Sequence, residues 1–306
     1  LRLLGRLRLE QGDHRAALPL LAQAVSVLHL LDGRSATHAA ALRELAQARR
    51  AMGDLRQAVA LAERSVALMR AARGREHADT LAAMETLAEL RLDQGAHKEA
   101  LALLREALAI RKRTLGERHP DYGRVLRLLA RALRLAGERK EALPVLRQAV
   151  AIDAAVLGEK HPRTVQGLGE LGRLLLEMGD AKAALPLLKK TAELRRAIFG
   201  ERHPDDSAAM ADLASAYLMQ GDRKAALPLM ERSLALSRML FGDKHPRTAR
   251  GFRDLGRYHR DGGEPKKAKP LMERAHAIQK EALGARHPET LASAGELAAI
   301  KKALGE

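Results

Sequence analysis

The chain has 306 residues, of which 46% are hydrophobic and 30% charged, and its 54 Lys and Arg residues against 38 Asp and Glu residues give a formal net charge of +16. It contains no cysteine, which excludes disulfides, thiolate metal ligands and a cysteine nucleophile. Aromatic residues make up only 2%, too few for a typical β-sandwich or β-barrel. Ala and Leu dominate instead and favour helices.

The chain repeats itself every 42 residues. The dipeptide His-Pro begins at His119, His161, His203, His245 and His287. One series of glycines with the same spacing is Gly53, Gly95, Gly137, Gly179, Gly221, Gly263 and Gly305, and a second is Gly74, Gly116, Gly158, Gly200, Gly242 and Gly284. Self-similarity at a fixed period of this length is typical of repeat architectures.

Each repeat is predicted to form two helices. After His119-Pro120, the apolar residues Val125, Leu129 and Leu133 recur at helical spacing until Gly137. Proline suits the first turn of a helix, and glycine suits the left-handed turn after its end. A second helix follows, and in four repeats an aspartate after the turn glycine is predicted to cap it. These aspartates are Asp13, Asp54, Asp180 and Asp222.

Five second helices contain an internal proline: Pro19, Pro144, Pro186, Pro228 and Pro270. A proline beyond the first turn removes a backbone hydrogen bond and crowds the preceding turn. We therefore expect these helices to start late or to bend mildly.

First helices carry a large apolar residue followed by Leu and a small residue, as in Leu126…Leu129-Ala130, and second helices carry Ala100, Ala142, Ala184, Ala226 or Ala268 at one position. In these residues the chain resembles the tetratricopeptide repeat (TPR) family, in the 42-residue variety found in kinesin light chains and many bacterial proteins. The resemblance covers the whole chain. It implies an all-α, right-handed superhelical solenoid of antiparallel helix pairs, with seven full or near-full repeats and a partial eighth.

The expected domain is a single solenoid over residues 1–306. Its repeats are predicted at 1–32, 33–73, 74–115, 116–157, 158–199, 200–241, 242–283 and 284–306. The first and last repeats are incomplete, and solenoids normally end in polar capping helices. We therefore expect this segment to belong to a longer protein.

Arginines form two stripes on the predicted first helices. The fourth-repeat stripe is Arg124, Arg127, Arg131 and Arg134, and the seventh-repeat stripe is Arg250, Arg253, Arg257 and Arg260. Their i, i+3, i+7, i+10 spacing places each set on one helix face. By the resemblance, this face lines the concave groove, and the guanidinium group suits carboxylate or phosphate partners. Both stripes are therefore candidate partner-binding residues.

Neighbouring acids offer an alternative explanation of the stripes. Glu85, Glu89 and Asp93 on the preceding first helix could form salt bridges with the fourth-repeat stripe, opposite Arg127 and Arg131. In the seventh repeat, Asp254 and Asp261 each follow an arginine by four residues. The neighbouring first helices there carry small residues, namely Ala208, Ala211, Ser215, Ala292 and Gly295. This pattern predicts a roomy groove with few opposing acids.

No residues are predicted to be catalytic or to bind a cofactor or metal. The histidines at the repeat junctions are expected to cap and pack between repeats, because no converging set of metal ligands accompanies them. No nucleophile elbow or glycine-rich phosphate loop is recognisable. The chain is therefore not expected to be an enzyme.

The predicted function is a protein-interaction scaffold that binds an acidic peptide or partner segment in its groove. By resemblance, an alternative is a spacer or regulator of an attached effector such as a caspase-like protease, a kinase or an NTPase. Nucleic-acid binding is disfavoured, because the charge is spread over all repeats and the first helices lack aromatics for base stacking. Without an apolar run of about 18 residues or a signal peptide, no membrane partner and a cytoplasmic location are expected.

Overall fold

The computed structural model describes residues 1–200 and 202–306, with only the backbone of residue 205. Within these residues the chain forms fifteen α-helices and no strand. The helices are α1 (Arg2–Glu10), α2 (His14–Asp32), α3 (Ala36–Ala51), α4 (Leu55–Arg73), α5 (Ala78–Asp93), α6 (His97–Leu115), α7 (Pro120–Leu135), α8 (Arg139–Leu157), α9 (Pro162–Glu177), α10 (Ala181–Phe199), α11 (Pro204–Met219), α12 (Arg223–Phe241), α13 (Pro246–Asp261), α14 (Pro265–Leu283) and α15 (Pro288–Leu304). The all-α prediction is confirmed, with odd-numbered helices as first helices and even-numbered helices as second helices.

Histidine side chains cap the first helices. The imidazole Nδ1 of His119 accepts a hydrogen bond of 3.1 Å from the backbone N–H of Asp121, and His245 does the same for Arg247 at 3.1 Å. His77, His161 and His287 occupy the same N-cap position with the same bond. The predicted capping is thus confirmed: the imidazole satisfies a backbone N–H that would otherwise lack a partner at the helix start.

Aspartates cap four second helices, as predicted. Asp13, Asp54, Asp180 and Asp222 each accept a hydrogen bond from the backbone N–H three residues later, at 3.0–3.2 Å. The turn glycine before each cap has a positive φ, for example +84° at Gly179, a conformation that side chains with a Cβ rarely adopt. Cap and glycine together fix where each second helix begins.

The internal prolines do not delay these helices. Helix α8 begins at Arg139, well before Pro144, and its 19 residues equal those of α4, which has no internal proline. The expected late start is therefore wrong. The start is set by the turn, and the one backbone bond that proline removes leaves the rest of the helix packed against its neighbours.

Contacts divide the chain into two compact units, unit 1 (Leu1–Gly158) and unit 2 (Glu159–Glu306). Within each unit consecutive helices pack together, and first helices of adjacent repeats also touch, as α5 touches α7 and α9 touches α11. The core is built on one alanine of each second helix, fully buried at Ala100, Ala142, Ala184, Ala226 and Ala268. Small residues there let the paired helices approach closely.

Among the described residues, one helix, α2, could cross a membrane by length and composition alone. The sequence prediction of no membrane helix required an uninterrupted apolar run. Helix α2 has no such run, because His, Gln and Ser residues interrupt it, but these residues are uncharged and its mean hydropathy stays high. A single such helix is weak evidence for a membrane span. Its residues Ala17 and Leu21 are buried in a cluster with Leu45 and Ala48 of α3, as a second helix of a repeat would be.

Candidate functional site

The predicted arginine stripes lie on first helices of different units, the fourth-repeat stripe on α7 and the seventh-repeat stripe on α13. We call the side of each unit formed by its first helices the first-helix face. Direct contact between neighbouring first helices brings side chains from successive repeats together on this face.

Salt bridges to the preceding first helix engage two arginines of the fourth-repeat stripe. Arg124 pairs through Nη1 with Glu85 of α5, and Nη2 of Arg131 lies 4.0 Å from Asp93 of α5. The sequence placed Glu85 opposite Arg127, which is wrong by one helical turn. The actual Glu85–Arg124 pair is separated by 39 residues instead of 42.

The remaining two arginines of this stripe also have partners. Nη1 of Arg127 lies 3.5 Å from Asp153 of α8, and the Arg127 side chain is only 14% exposed. Arg134, near the end of α7, is likewise engaged. Every arginine of the fourth-repeat stripe thus has a partner, and Arg131, at 46% exposed, has the longest of these ion-pair contacts.

A buried network lies beneath Arg124. Arg111 of α6 donates to Glu85 Oε1 at 2.9 Å, and the two side chains are only 2% and 3% exposed. Arg111 Nη1 also lies 3.2 Å from Asp121 of α7. Burial raises the pKa of Glu85, and the cations Arg124 and Arg111 oppose that rise. These contacts join three helices, which gives the network a structural role.

In the seventh repeat, Arg257 has an acidic partner that the sequence analysis overlooked. Its Nε donates to Oε2 of Glu296 on α15 at 2.9 Å. Asp261, expected to pair with Arg257, instead lies 2.8 Å from Nε of Arg260. Arg257 and Arg260 are thus both engaged.

Arg250 and Arg253 are less constrained. The Arg250 side chain is 63% exposed, and its single ion pair among the described residues is a long one, with Nε 3.9 Å from Oδ2 of Asp254. The Nε of Arg253 is buried and has no hydrogen-bond partner among the described residues. The exposed Arg250 guanidinium therefore retains donors for a ligand.

A cavity of about 220 Å³ opens on the first-helix face of unit 2. Three arginines line it, Arg173 from α9 and Arg247 and Arg250 from α13, together with the carboxylates of Asp212 and Asp254. At about 30 Å³ per water molecule, the cavity has room for roughly seven waters. It is large enough to admit a side chain.

Small residues keep the cavity open. Ala208 and Ala211 of α11 and Gly251 of α13 form part of the lining. A Cβ on Gly251 would lie 3.1 Å from Cδ1 of Leu234, so close packing favours glycine there. The lining also includes Ser207, whose hydroxyl lies 2.6 Å from that of Ser237.

The charges around the cavity do not all cancel. Arg173 donates through Nη2 to Asp212 at 2.8 Å and is neutralised by it. Arg247 lies over the ring of Phe241, with its Cζ 4.9 Å from the ring centroid, and no described carboxylate forms a salt bridge with it. Burial raises the pKa of Asp254, and Arg250, Arg253 and Arg257 oppose that rise.

Sequence reasoning missed Arg173 and Arg247. Neither belongs to a stripe of four, and the cavity depends on helices from three repeats. One signal was present, since the small residues Ala208 and Ala211 had been singled out. Within the described part of the chain, no three His, Asp or Glu residues could together hold a metal ion.

The TPR_12 tetratricopeptide repeat model matches residues 37–113, 87–155, 141–197, 163–239 and 224–281. A Podosopora anserina structure of nearly identical kinesin-light-chain TPR-like repeats has 32% identity and a TM-score of 0.58, covering 65% of this chain and 95% of that chain. BtubC (BKLC) from P. vanneervenii has 25% identity and a TM-score of 0.63, covering 76% and 94%. Aspartyl phosphate phosphatase F from Bacillus subtilis shares the fold at 17% identity and a TM-score of 0.65, covering 92% and 69%. A search of curated proteins gave no match.

The chain belongs to the tetratricopeptide repeat family, as the residues of its helix pairs predicted. Repeat scaffolds of this family typically mediate protein–protein interactions and are generally not catalytic. The fold by itself does not define the partner.

Proposed function

We propose that this chain is a non-catalytic interaction scaffold whose unit 2 binds an acidic segment of a partner protein on its first-helix face. One observation carries the proposal. Arg247 and Arg250 line the same cavity, and neither is held in a short salt bridge by the described residues. Guanidinium groups with free donors favour carboxylate ligands.

The charge balance supports a carboxylate as the ligand group. Because Asp212 neutralises Arg173, Asp254 is the one carboxylate among the described lining residues left to balance Arg247 and Arg250, which gives these residues a surplus of one positive charge. A dianion such as a phosphoryl group would also meet repulsion from Asp212 and Asp254 within the cavity. A single acidic side chain suits both the volume and the charge.

The two stripes then have different roles. Arg124, Arg127 and Arg131 are engaged by acids of their own unit, which favours a structural role for the fourth-repeat stripe. In the seventh-repeat stripe, Arg250 and Arg253 bind the partner, while Arg257 holds α15 through Glu296. The arginine that completes the site is Arg247.

Fluorescence anisotropy tests this proposal with a fluorescein-labelled ten-residue peptide of alternating Glu and Ser. Replacing Arg247 and Arg250 by Gln should weaken binding by up to about 30-fold, because two partly exposed ion pairs are lost at up to about 1 kcal/mol each. The matched control replaces Arg274 and Arg286 by Gln, because it also removes two positive charges at exposed residues outside the cavity. Equal losses in both proteins would show that only net charge matters and would refute the site.

A further inference from the structure

The first helices of unit 2 are joined by a regular pair of residues. Arg173 bonds Asp212 at 2.8 Å, and Arg257 bonds Glu296 at 2.9 Å. In each case the arginine precedes the acid by 39 residues and belongs to the preceding repeat. Both acids are largely buried, with side-chain exposures of 10% and 16%. The arginine therefore both neutralises the acid and ties adjacent first helices together.

Between these two pairs, the corresponding position lacks its arginine. Ser215 lies 42 residues after Arg173 and 42 before Arg257, while Asp254 holds the position of the acid. The Ser215 hydroxyl donates instead to the backbone carbonyl of Ala211 at 2.9 Å. Asp254 consequently lacks the cation that the other two acids receive from the preceding repeat.

Asp254 turns to the cavity instead. It lines the cavity with Arg250, and the two side chains approach to 3.9 Å without a short hydrogen bond. Burial disfavours the charged form of this carboxylate and raises its pKa. A partly buried acid thus shares Arg250, its one ion-pair partner among the described residues, with the proposed ligand site.

We propose that Asp254 is an internal competitor for Arg250, which sets the affinity and selectivity of the cavity for carboxylate ligands. This inference rests on the proposed function. An incoming carboxylate must displace Asp254 from Arg250 or share the guanidinium with it. A ligand that also contacts Arg247 can offset that cost, whereas an anion that reaches Arg250 alone cannot. The missing arginine at position 215 keeps Asp254 available for this competition.

The test measures binding of the same fluorescein-labelled Glu/Ser peptide to the whole chain. Asp254→Asn keeps the shape of the side chain and removes its charge, and we expect about two- to fivefold tighter binding, the scale of a partly exposed ion pair. Ser215→Arg gives Asp254 a cation of its own and should also tighten binding. Glu231→Gln is the matched control, because it makes the same charge change at an exposed residue of α12 outside the cavity.

The outcomes separate this inference from the proposed function. If Asp254→Asn binds no tighter than Glu231→Gln while loss of Arg247 and Arg250 still weakens binding, the competitor role is refuted and the site stands. If the peptide binds independently of Arg247 and Arg250, the proposed function itself fails. Circular dichroism of each variant checks that the helices are intact. If Asp254→Asn is misfolded, a second substitution that removes the charge, Asp254→Ser, should give the same increase in peptide affinity.

Discussion

Restoring the missing arginine at position 215 should create a new inter-helix ion pair. In Ser215→Arg, the guanidinium would occupy the place of Arg173 and Arg257 and meet Asp254. Ser215 is exposed, so the longer side chain fits without disturbing the core. The two existing pairs join α9 to α11 and α13 to α15 in the same way, with the arginine 39 residues before the acid.

The expected magnitude follows from the exposure of the existing pairs. The arginines of the existing pairs are 40% and 41% exposed. The interaction free energy of the new pair should therefore lie between that of a surface salt bridge, about 0.2–1 kcal/mol, and that of a charge-assisted hydrogen bond, about 1.5–3 kcal/mol. We expect a coupling of about 1 kcal/mol after allowing for solvent screening. By linkage, that coupling lowers the pKa of Asp254, because the new cation favours the carboxylate over the protonated acid.

The sign of the pH dependence is also fixed. In the parent protein, the pKa of Asp254 is raised, so this group contributes stability at low pH that is lost as pH rises through its folded pKa. The new arginine favours the carboxylate, so its stabilising effect is largest at neutral pH and disappears as Asp254 is protonated. Destabilisation by the same substitution at pH 7 would contradict this reasoning.

A double-mutant cycle isolates the interaction. The cycle uses Ser215→Arg, Asp254→Asn and the double variant, with Ser215→Gln as an uncharged control for side-chain length. Because repeat arrays can unfold in several steps, hydrogen exchange of α11 and α13 should accompany urea denaturation. A coupling below about 0.3 kcal/mol, or an unchanged Asp254 pKa by NMR, would refute the pairing rule.

Three further predictions test the local structure. His119→Ala should destabilise the array by about 1 kcal/mol through loss of the N-cap of α7, measured by urea denaturation, and His119→Asn should recover most of it; an equal loss in both would contradict the capping role. Pro144→Ala should stabilise α8 by about 1–3 kcal/mol, and an unchanged or lower midpoint would show that the proline fits its helix without cost. Hydrogen bonds from Lys267 and His259 lower the pKa of Glu264 to about 2. The charged Glu264 therefore stabilises the fold at pH values above its ordinary pKa near 4.5, and this stabilisation should be lost as the pH falls towards 2. An NMR titration midpoint near 4.5 would contradict this.

The helix pairs and their ends could be predicted because they depend on local chemistry. Asp180 caps α10 and His119 caps α7 through backbone N–H groups only two or three residues away. Such contacts follow from sequence spacing alone. The internal prolines misled the same reasoning, because a local penalty at Pro144 was outweighed by the packing of the whole helix.

The pairing of the arginines could not be obtained in this way. Position 85 was placed opposite Arg127 by the 42-residue period, yet Glu85 pairs with Arg124. The stagger of neighbouring first helices, about one turn, is a property of tertiary packing and leaves no mark in the repeat spacing. The same stagger brings Glu296 to Arg257. The sequence analysis had predicted few acids opposite the seventh-repeat stripe, and Glu296 is one that it overlooked.

Arginine side-chain NMR tests the central claim most directly. In a titration of the whole chain with the Glu/Ser peptide, the Nε–Hε signals of Arg247 and Arg250 should move first and saturate together. Signals of Arg124 and Arg257, held by Glu85 and Glu296, should move little. Equal shifts over all exposed arginines, including Arg286, would contradict a defined acidic-segment site on unit 2.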